Sequence, residues 1–262
     1  MNLLDTLPKL LQTTPTGGWR VAHYAALDQL HIGGLPATRK LLNWLPKTAI
    51  RGLDMGAGLG GCARILALEH GCAMTATDID ADYIKAAQLL DQNLSTPTTC
   101  HYQVANSLDL PFSDHHFDFI LSQHAMMPID NKAKLLQGIK QVLKPGGSLL
   151  LHEVYLAPAQ LADAVAYPTP WANERASSYL QTWHEFEALS QQLGWHVAQH
   201  EDETAHSLTW LQQTRAAKTT THPPALNARL ALGKEAGKMS ANVLYNLQQG
   251  RIEVHSARLV VL

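Results

Sequence analysis

Residues 53–61 read LDMGAGLGG, four glycines within six positions behind a carboxylate. Where a strand turns into a helix, a backbone so free of Cβ atoms lets main-chain amides approach a ligand closely. Asp54 suits a cationic ligand better than a pyrophosphate, because an acid beside a helix start would repel a second negative charge. Asp78 closes the next apolar stretch, CAMTATDI, and can accept hydrogen bonds from a ribose 2′,3′ hydroxyl pair. The chemistry these residues suit is the holding of a nucleoside.

Two cofactor families use such a loop. Gly56, Gly58 and Gly61 satisfy the dinucleotide fingerprint G-x-G-x-x-G, and Asp54-x-Gly56-x-Gly58-x-Gly60 satisfies the S-adenosylmethionine (SAM) signature equally well. Asp78 suits both, so a nicotinamide-dependent oxidoreductase stays open on these residues alone.

From residue 35 onward helical and strand patterns alternate, which predicts a parallel sheet with helices on both faces. Helices are expected at 36–45, 59–71, 81–94 and 131–143, and strands at 49–55, 72–79, 101–105, 117–123 and 148–154. LKPGG (143–147) reads as a turn ahead of the fifth strand. A helix at 182–194 leads into a strand at 195–202, and RIEVHSARLVVL (251–262) is a closing apolar strand. Residues 203–250 hold two or three helical patterns, expected as an insertion on the edge of the sheet, and TTTHPP (219–224) reads as a loop. The domain plan is one unit: 1–34 an N-terminal covering segment, 35–154 the binding core, 155–250 acceptor-side and inserted helices, 251–262 the final strand.

Hydrophobic residues at 46% and charged residues at 16% in 262 residues describe a globular chain with a sizeable core. A formal charge of -2 with scattered Lys and Arg gives no electrostatic footprint for nucleic acid. Cys62, Cys72 and Cys100 have no C-x-x-C spacing, and neither a signal peptide nor an apolar run long enough for a membrane is evident, so a cytoplasmic location is expected. The 14 histidines include the pairs His115/His116 and His196/His200, neither with a carboxylate at ligand spacing, and no metal site is expected.

DMGAGLGG (54–61), ATDID (76–80), ANSLDLPFSDHHFDFILSQ (105–123) and LKPGG (143–147), in this order, resemble the class I SAM-dependent methyltransferases of the small-molecule branch, of the type 11 kind. DQLHIGGLPATRKLL (28–42) is similar to the segment that folds over the cofactor in relatives of the sarcosine and dimethylglycine methyltransferases. PTPWANERASSYL (168–180) with DETAHSLTW (202–210) resembles a bacterial subgroup. The resemblance implies a Rossmann-like doubly wound α/β fold: a seven-stranded sheet in order 3-2-1-4-5-7-6, the last strand antiparallel, with a helical insertion before it.

It also implies roles. With Asp54 ahead of them, Gly56, Gly58 and Gly60 line the methionine and ribose portion, Asp78 binds the ribose, Ile79 lies against adenine, and Ser107 reads the ring edge through its backbone. Asn106 stands where the family has an acid, and its amide oxygen can still accept. Gln123 and His124 follow the fourth strand beneath the methyl group, and His31 touches the cofactor. Proton-transfer candidates sit where parallel strands end: His124, Glu153 and Tyr155. Tyr24 and Trp171 are candidate walls for a small-molecule acceptor, an amine, thiol or hydroxyl compound. Met127 and Pro128 occupy the place of a histidine that some relatives use, and a non-catalytic SAM-binding protein is the third reading. A homodimer through the inserted helices is expected.

Overall fold

The computed structural model describes residues 2–158, 162–220 and 224–261. Met1, residues 159–161, the 221–223 part of the predicted TTTHPP loop and Leu262 of the predicted last strand lie outside the described residues.

Three helices open the chain, α1 (Leu3–Leu11), α2 (Val21–Asp28) and α3 (Gly34–Leu42). Then follow β1 (Arg51–Met55), α4 (Gly61–His70), β2 (Ala73–Asp78), α5 (Ala81–Gln92), β3 (His101–Val104), β4 (Phe117–Gln123), α6 (Lys132–Val142) and β5 (Leu143–Leu156). The chain ends with α7 (Trp183–Gln192), β6 (Trp195–Asp202), α8 (Thr204–Thr220), α9 (Ala228–Leu232), α10 (Ala236–Gln248) and β7 (Ile252–Val261). The sheet has seven strands in the order β3-β2-β1-β4-β5-β7-β6, parallel except for β7, which runs antiparallel to both its neighbours. This is the expected topology. Among the described residues no helix is long and apolar enough to cross a membrane.

β4 and β5 lie in the middle, covered on both faces, and are almost wholly buried; that is why they read as apolar runs. β6 is an edge and alternates buried with open positions. Caps set the helix starts: Asp80 accepts the amides of Asp82 and Tyr83 at α5, and Thr182 with Glu185 forms a reciprocal box at α7. One face of the sheet packs Leu149, Leu151 and Tyr155 of β5 against Leu135, Leu136 and Ile139 of α6 and Phe186 of α7. The other packs Leu121 and Leu150 against Leu41, Cys62 and Ile65 of α3 and α4.

Two expectations need correction. LKPGG is not a turn outside the sheet: β5 begins at Leu143, which pairs with Phe117, and the ladder then skips so that Ser148 pairs with Phe119. Gly147 permits the kink, since a Cβ there would sit 2.8 Å from Lys144 O. The insertion also does not sit on the sheet's edge, which is β6. Leu211, Val243 and Leu247 of α8 and α10 cover Val154, Leu156, Ile252 and Val254, because the apolar ends of β5 and β7 on that face need a cover. α9 packs instead on α1 and α2.

Candidate cofactor and acceptor site

The corner after β1 shows why each glycine is there. Gly56, Gly58 and Gly60 all have positive φ, at 71°, 53° and 74°. A Cβ on Gly56 would come within 2.4 Å of Ala125 Cβ, and one on Gly60 within 2.6 Å of the Tyr102 ring, so the protein itself requires those two. Around Gly58 there is open space, and it is the position left for a ligand. Its amide donates to Asp78 Oδ2 at 2.8 Å, while Asp80 N donates to Asp78 Oδ1 at 2.9 Å, which fixes that carboxylate at the rim. Asp54 is buried and accepts from Ala63 N of the first turn of α4 at 3.1 Å; burial pushes its carboxyl up to about 7. An acid already fills the place where a dinucleotide enzyme would hold phosphate.

Beside Asp78, Ile79 is 71% exposed and Val104 48%, apolar side chains on an otherwise polar rim. A carboxylate facing hydroxyls beside an open apolar platform fits the ribose and base of a nucleoside. Asn106 Oδ1 accepts from Leu108 N at 2.9 Å, so the amide oxygen braces its own turn next to Ser107.

The N-terminal segment is locked onto this corner by residues that sequence reasoning passed over. Arg64, fully buried on α4, donates to Asp28 Oδ2 at 2.8 Å, Leu59 O at 2.6 Å, Ala87 O at 3.3 Å and Tyr102 Oη at 3.2 Å. A lone cation inside the apolar run CARILAL was the available signal. Tyr24 stacks on Trp19 at 5.4 Å and lies near Arg64 inside the N-terminal cluster, not on an acceptor wall. Thr38 is a second tie: its hydroxyl lies 2.9 Å from Gln29 Oε1, 3.0 Å from His31 Nε2 and 3.2 Å from Gln123 Oε1, and the Cys62 thiol donates to Gln123 Oε1. Asp28 Oδ1, Gln123 Nε2 and His124 Nε2 are buried with no partner among the described residues, and the first two leave acceptor and donor capacity for a zwitterionic ligand.

His31, His124 and His152 come together, the last unforeseen. Ring centroids are 6.1 Å apart for His31 and His124, 5.9 Å for His31 and His152, and 5.2 Å for His124 and His152, which stack at 10°. Desolvation by burial brings His31 down to about 4 and His152 to about 3, and holds His124 well below the ordinary imidazole range.

Glu153 and Tyr155 do not join them, because neighbouring β residues point to opposite faces. Glu153, 2% exposed, accepts from Ser122 Oγ at 2.7 Å, Ala125 N at 3.1 Å and Met126 N at 3.2 Å, and so pins the loop after β4; burial pushes its carboxyl up to about 7. Lys132, lowered to about 8 by burial, donates to Ile129 O and to Tyr179 O. Tyr155 packs edge-on to Trp183 and His255 with its hydroxyl unpartnered. Trp171 donates to Ser178 Oγ at 3.1 Å and belongs to the apolar cluster of Ile32 and Met127, on the histidine side. Among the described residues no group of three His, Cys, Asp or Glu is placed to hold a metal ion.

Residues 53–151 match the family described as Methyltransferase domain. The chain is 34% identical over 104 residues to O-methyltransferase resE of Aspergillus sclerotiorum, a match covering 40% of this chain and 39% of that protein. Over 108 residues it is 30% identical to the glycine/sarcosine/dimethylglycine N-methyltransferase of Actinopolyspora halophila, covering 41% of this chain and 19% of that protein. It thus spans well under half the length of either. Phosphoethanolamine N-methyltransferase 2 of Haemonchus contortus, solved with phosphomonomethylethanolamine and S-adenosylhomocysteine, superposes with a TM-score of 0.76 at 20% identity, covering 100% of this chain and 60% of that one.

Proposed function

We propose that this chain, whose residues 53–151 match a methyltransferase-domain family, binds SAM and passes its methyl group to a small-molecule acceptor. The observation that carries the reading is the Gly58–Asp78 tie beside the exposed Ile79, a ribose clamp and base platform at the carboxyl edge of the sheet. Asp78 holds the ribose hydroxyls, Ile79 and the Ser107 backbone flank the adenine, and Gly58 gives the methionine portion access to main chain. Gln123, His31 and the unpartnered Asp28 oxygen border the amino-acid end. When bound, the cofactor supplies a methyl carbon on a cationic sulfur, so the acceptor atom gains the methyl, the carbon–sulfur electron pair stays on sulfur and a hydroxyl or ammonium proton must leave.

The chain's own share is positioning and exclusion of water, from which effective molarities of about 10⁵ M or more arise. His124 would hold the acceptor's hydroxyl by a hydrogen bond, burial making it too weak a base to keep the proton at neutral pH; Glu153 acts through the loop that carries His124, as a positioning residue. The N-terminal 34 residues cover the cofactor, and α8 and α10 close the acceptor side. A cytoplasmic homodimer completes the reading, and Tyr245, 44% exposed on α10, is a group its interface would cover. The nicotinamide reading loses ground to Asp54, which occupies the helix start.

Asp78→Ala removes two charge-assisted acceptors, and S-adenosylhomocysteine affinity measured by calorimetry is expected to fall about 100-fold with the thermal transition retained. Unchanged affinity would refute the ribose role.

A further inference from the structure

The three clustered imidazoles are polar but uncharged. Gly34 O and Ile32 O can only accept, so His31 and His152 each carry their hydrogen on the Nε2 that faces them, at 3.1 and 3.0 Å. His152 Nδ1 then accepts the Ser256 hydroxyl at 2.9 Å. Both rings are thereby set as neutral tautomers, and burial keeps all three from protonating at neutral pH. The cation whose field reaches His152, Lys40, is engaged by Glu201 and Glu203. The nearest carboxylate along β5, Glu153, is occupied on the other face.

His124 differs from its two neighbours. Its Nε2 is buried and unpartnered among the described residues, and the residue holds a φ of +54°, a left-handed conformation uncommon outside glycine that histidine adopts more readily than most side chains. Its amide bond to His152 O at 3.0 Å and the stacking on the His152 ring keep it there. An unmet hydrogen bond on a buried ring nitrogen points to a ligand that meets it. Beside it stands an apolar wall in which Ile32, Met127 and Val154 cluster with Trp171 and Trp210.

Building on the methyltransferase reading, we propose that the acceptor is an electrically neutral hydroxyl compound with an aromatic or otherwise apolar body, its O–H bonded to His124 Nε2 and its body against Met127, Trp171 and Trp210. A hydroxyl satisfies the nitrogen without carrying charge into a place of low dielectric. A phosphomonoester or a permanent ammonium would arrive there without a counter-ion.

Calorimetry in saturating S-adenosylhomocysteine tests this with 2-naphthol, phosphoethanolamine and dimethylglycine as probes. 2-Naphthol is expected to bind at least tenfold more tightly than either charged probe. His124→Phe, which cannot accept, weakens 2-naphthol at least tenfold, and His124→Gln, which can, recovers part of the loss. Tighter binding of a charged probe, binding of none of the three, or unaltered naphthol affinity in His124→Phe overturns the proposal. Titration with S-adenosylhomocysteine alone separates the two levels: no binding by the unaltered protein sinks the methyltransferase reading itself, whereas binding by His124→Phe shows that the variant is folded.

Discussion

The nucleoside end and the histidine end of the site are built on opposite principles. At the first, one corner of chain does most of the work: Asp54 to Gly60 and Asp78 to Asp80 are joined by short local bonds, and the functional groups sit at an open rim. At the second, His31, His124 and His152 arrive from three segments and pack ring against ring, His31 and His152 buried and His124 half-buried. A rim can be written into a short motif. A buried cluster depends on the whole sheet being assembled, and its residues hold their neutral state because the fold surrounds them.

That contrast can be broken in graded ways. The largest effect is expected where the local corner depends on the remote N-terminus. Asp28→Ala leaves the fully buried Arg64 guanidinium without its carboxylate, a loss of about 3–5 kcal/mol in urea unfolding. A loss under about 1 kcal/mol would mean that Leu59 O, Ala87 O and Tyr102 suffice and that the corner stands alone.

A smaller effect separates the two faces of β5 by pH. Glu153 has a folded pKa of about 7 against an ordinary 4.5, so its carboxyl stabilises the fold fully below pH 4.5 and loses that contribution as pH rises through about 7. The span is about 3 kcal/mol at most by 1.36 kcal/mol per pKa unit. His152, lowered to about 3 from 6.5, has the reverse sign: its contribution is present above pH 6.5 and is lost as pH falls toward 3. Adjacent residues therefore tilt stability in opposite directions. Thermal melts from pH 4 to 8 should show Glu153→Gln flattening the upper limb and His152→Gln the lower. Identical profiles for both variants and the parent would show that neither group is as enclosed as the structure has it.

The smallest effect is at the rim. Ile79→Ser should leave the melting temperature within the span of about ±0.5 kcal/mol usual for surface changes, yet weaken S-adenosylhomocysteine several-fold by removing the platform under the base. A stability loss with intact binding would place Ile79 in the core instead.

The same contrast explains what could be read in advance. Strands β1 to β4, the body of β5 and the glycine corner were legible because period-two and period-3.6 patterns and a short motif are local properties. β4 was located to the residue, since Phe117–Gln123 holds the apolar stretch FIL with Phe117 two residues ahead of it, just after the polar SDHH. His152 was passed over in favour of its neighbour Glu153, since which of two adjacent strand residues faces the crevice depends on register against β4 and β7. Glu153 and Tyr155 were grouped with His124 by their place at strand ends, and the pleat sends them elsewhere. Arg64 and Thr38 gave no motif; their importance lies in partners that arrive from 36 residues away for Asp28 and 85 for Gln123.

The chain leaves the sheet at β6, builds α8 to α10, and returns as β7 in the slot between β5 and β6. Both anchor points of that excursion belong to the antiparallel half of the sheet, apart from the strands that carry Gly58 and Asp78. Of the apolar wall beside His124 the excursion supplies Trp210, while Met127 and Trp171 come from elsewhere in the chain, so exchanging α8 would reshape one side of that wall and leave Gly58 and Asp78 in register.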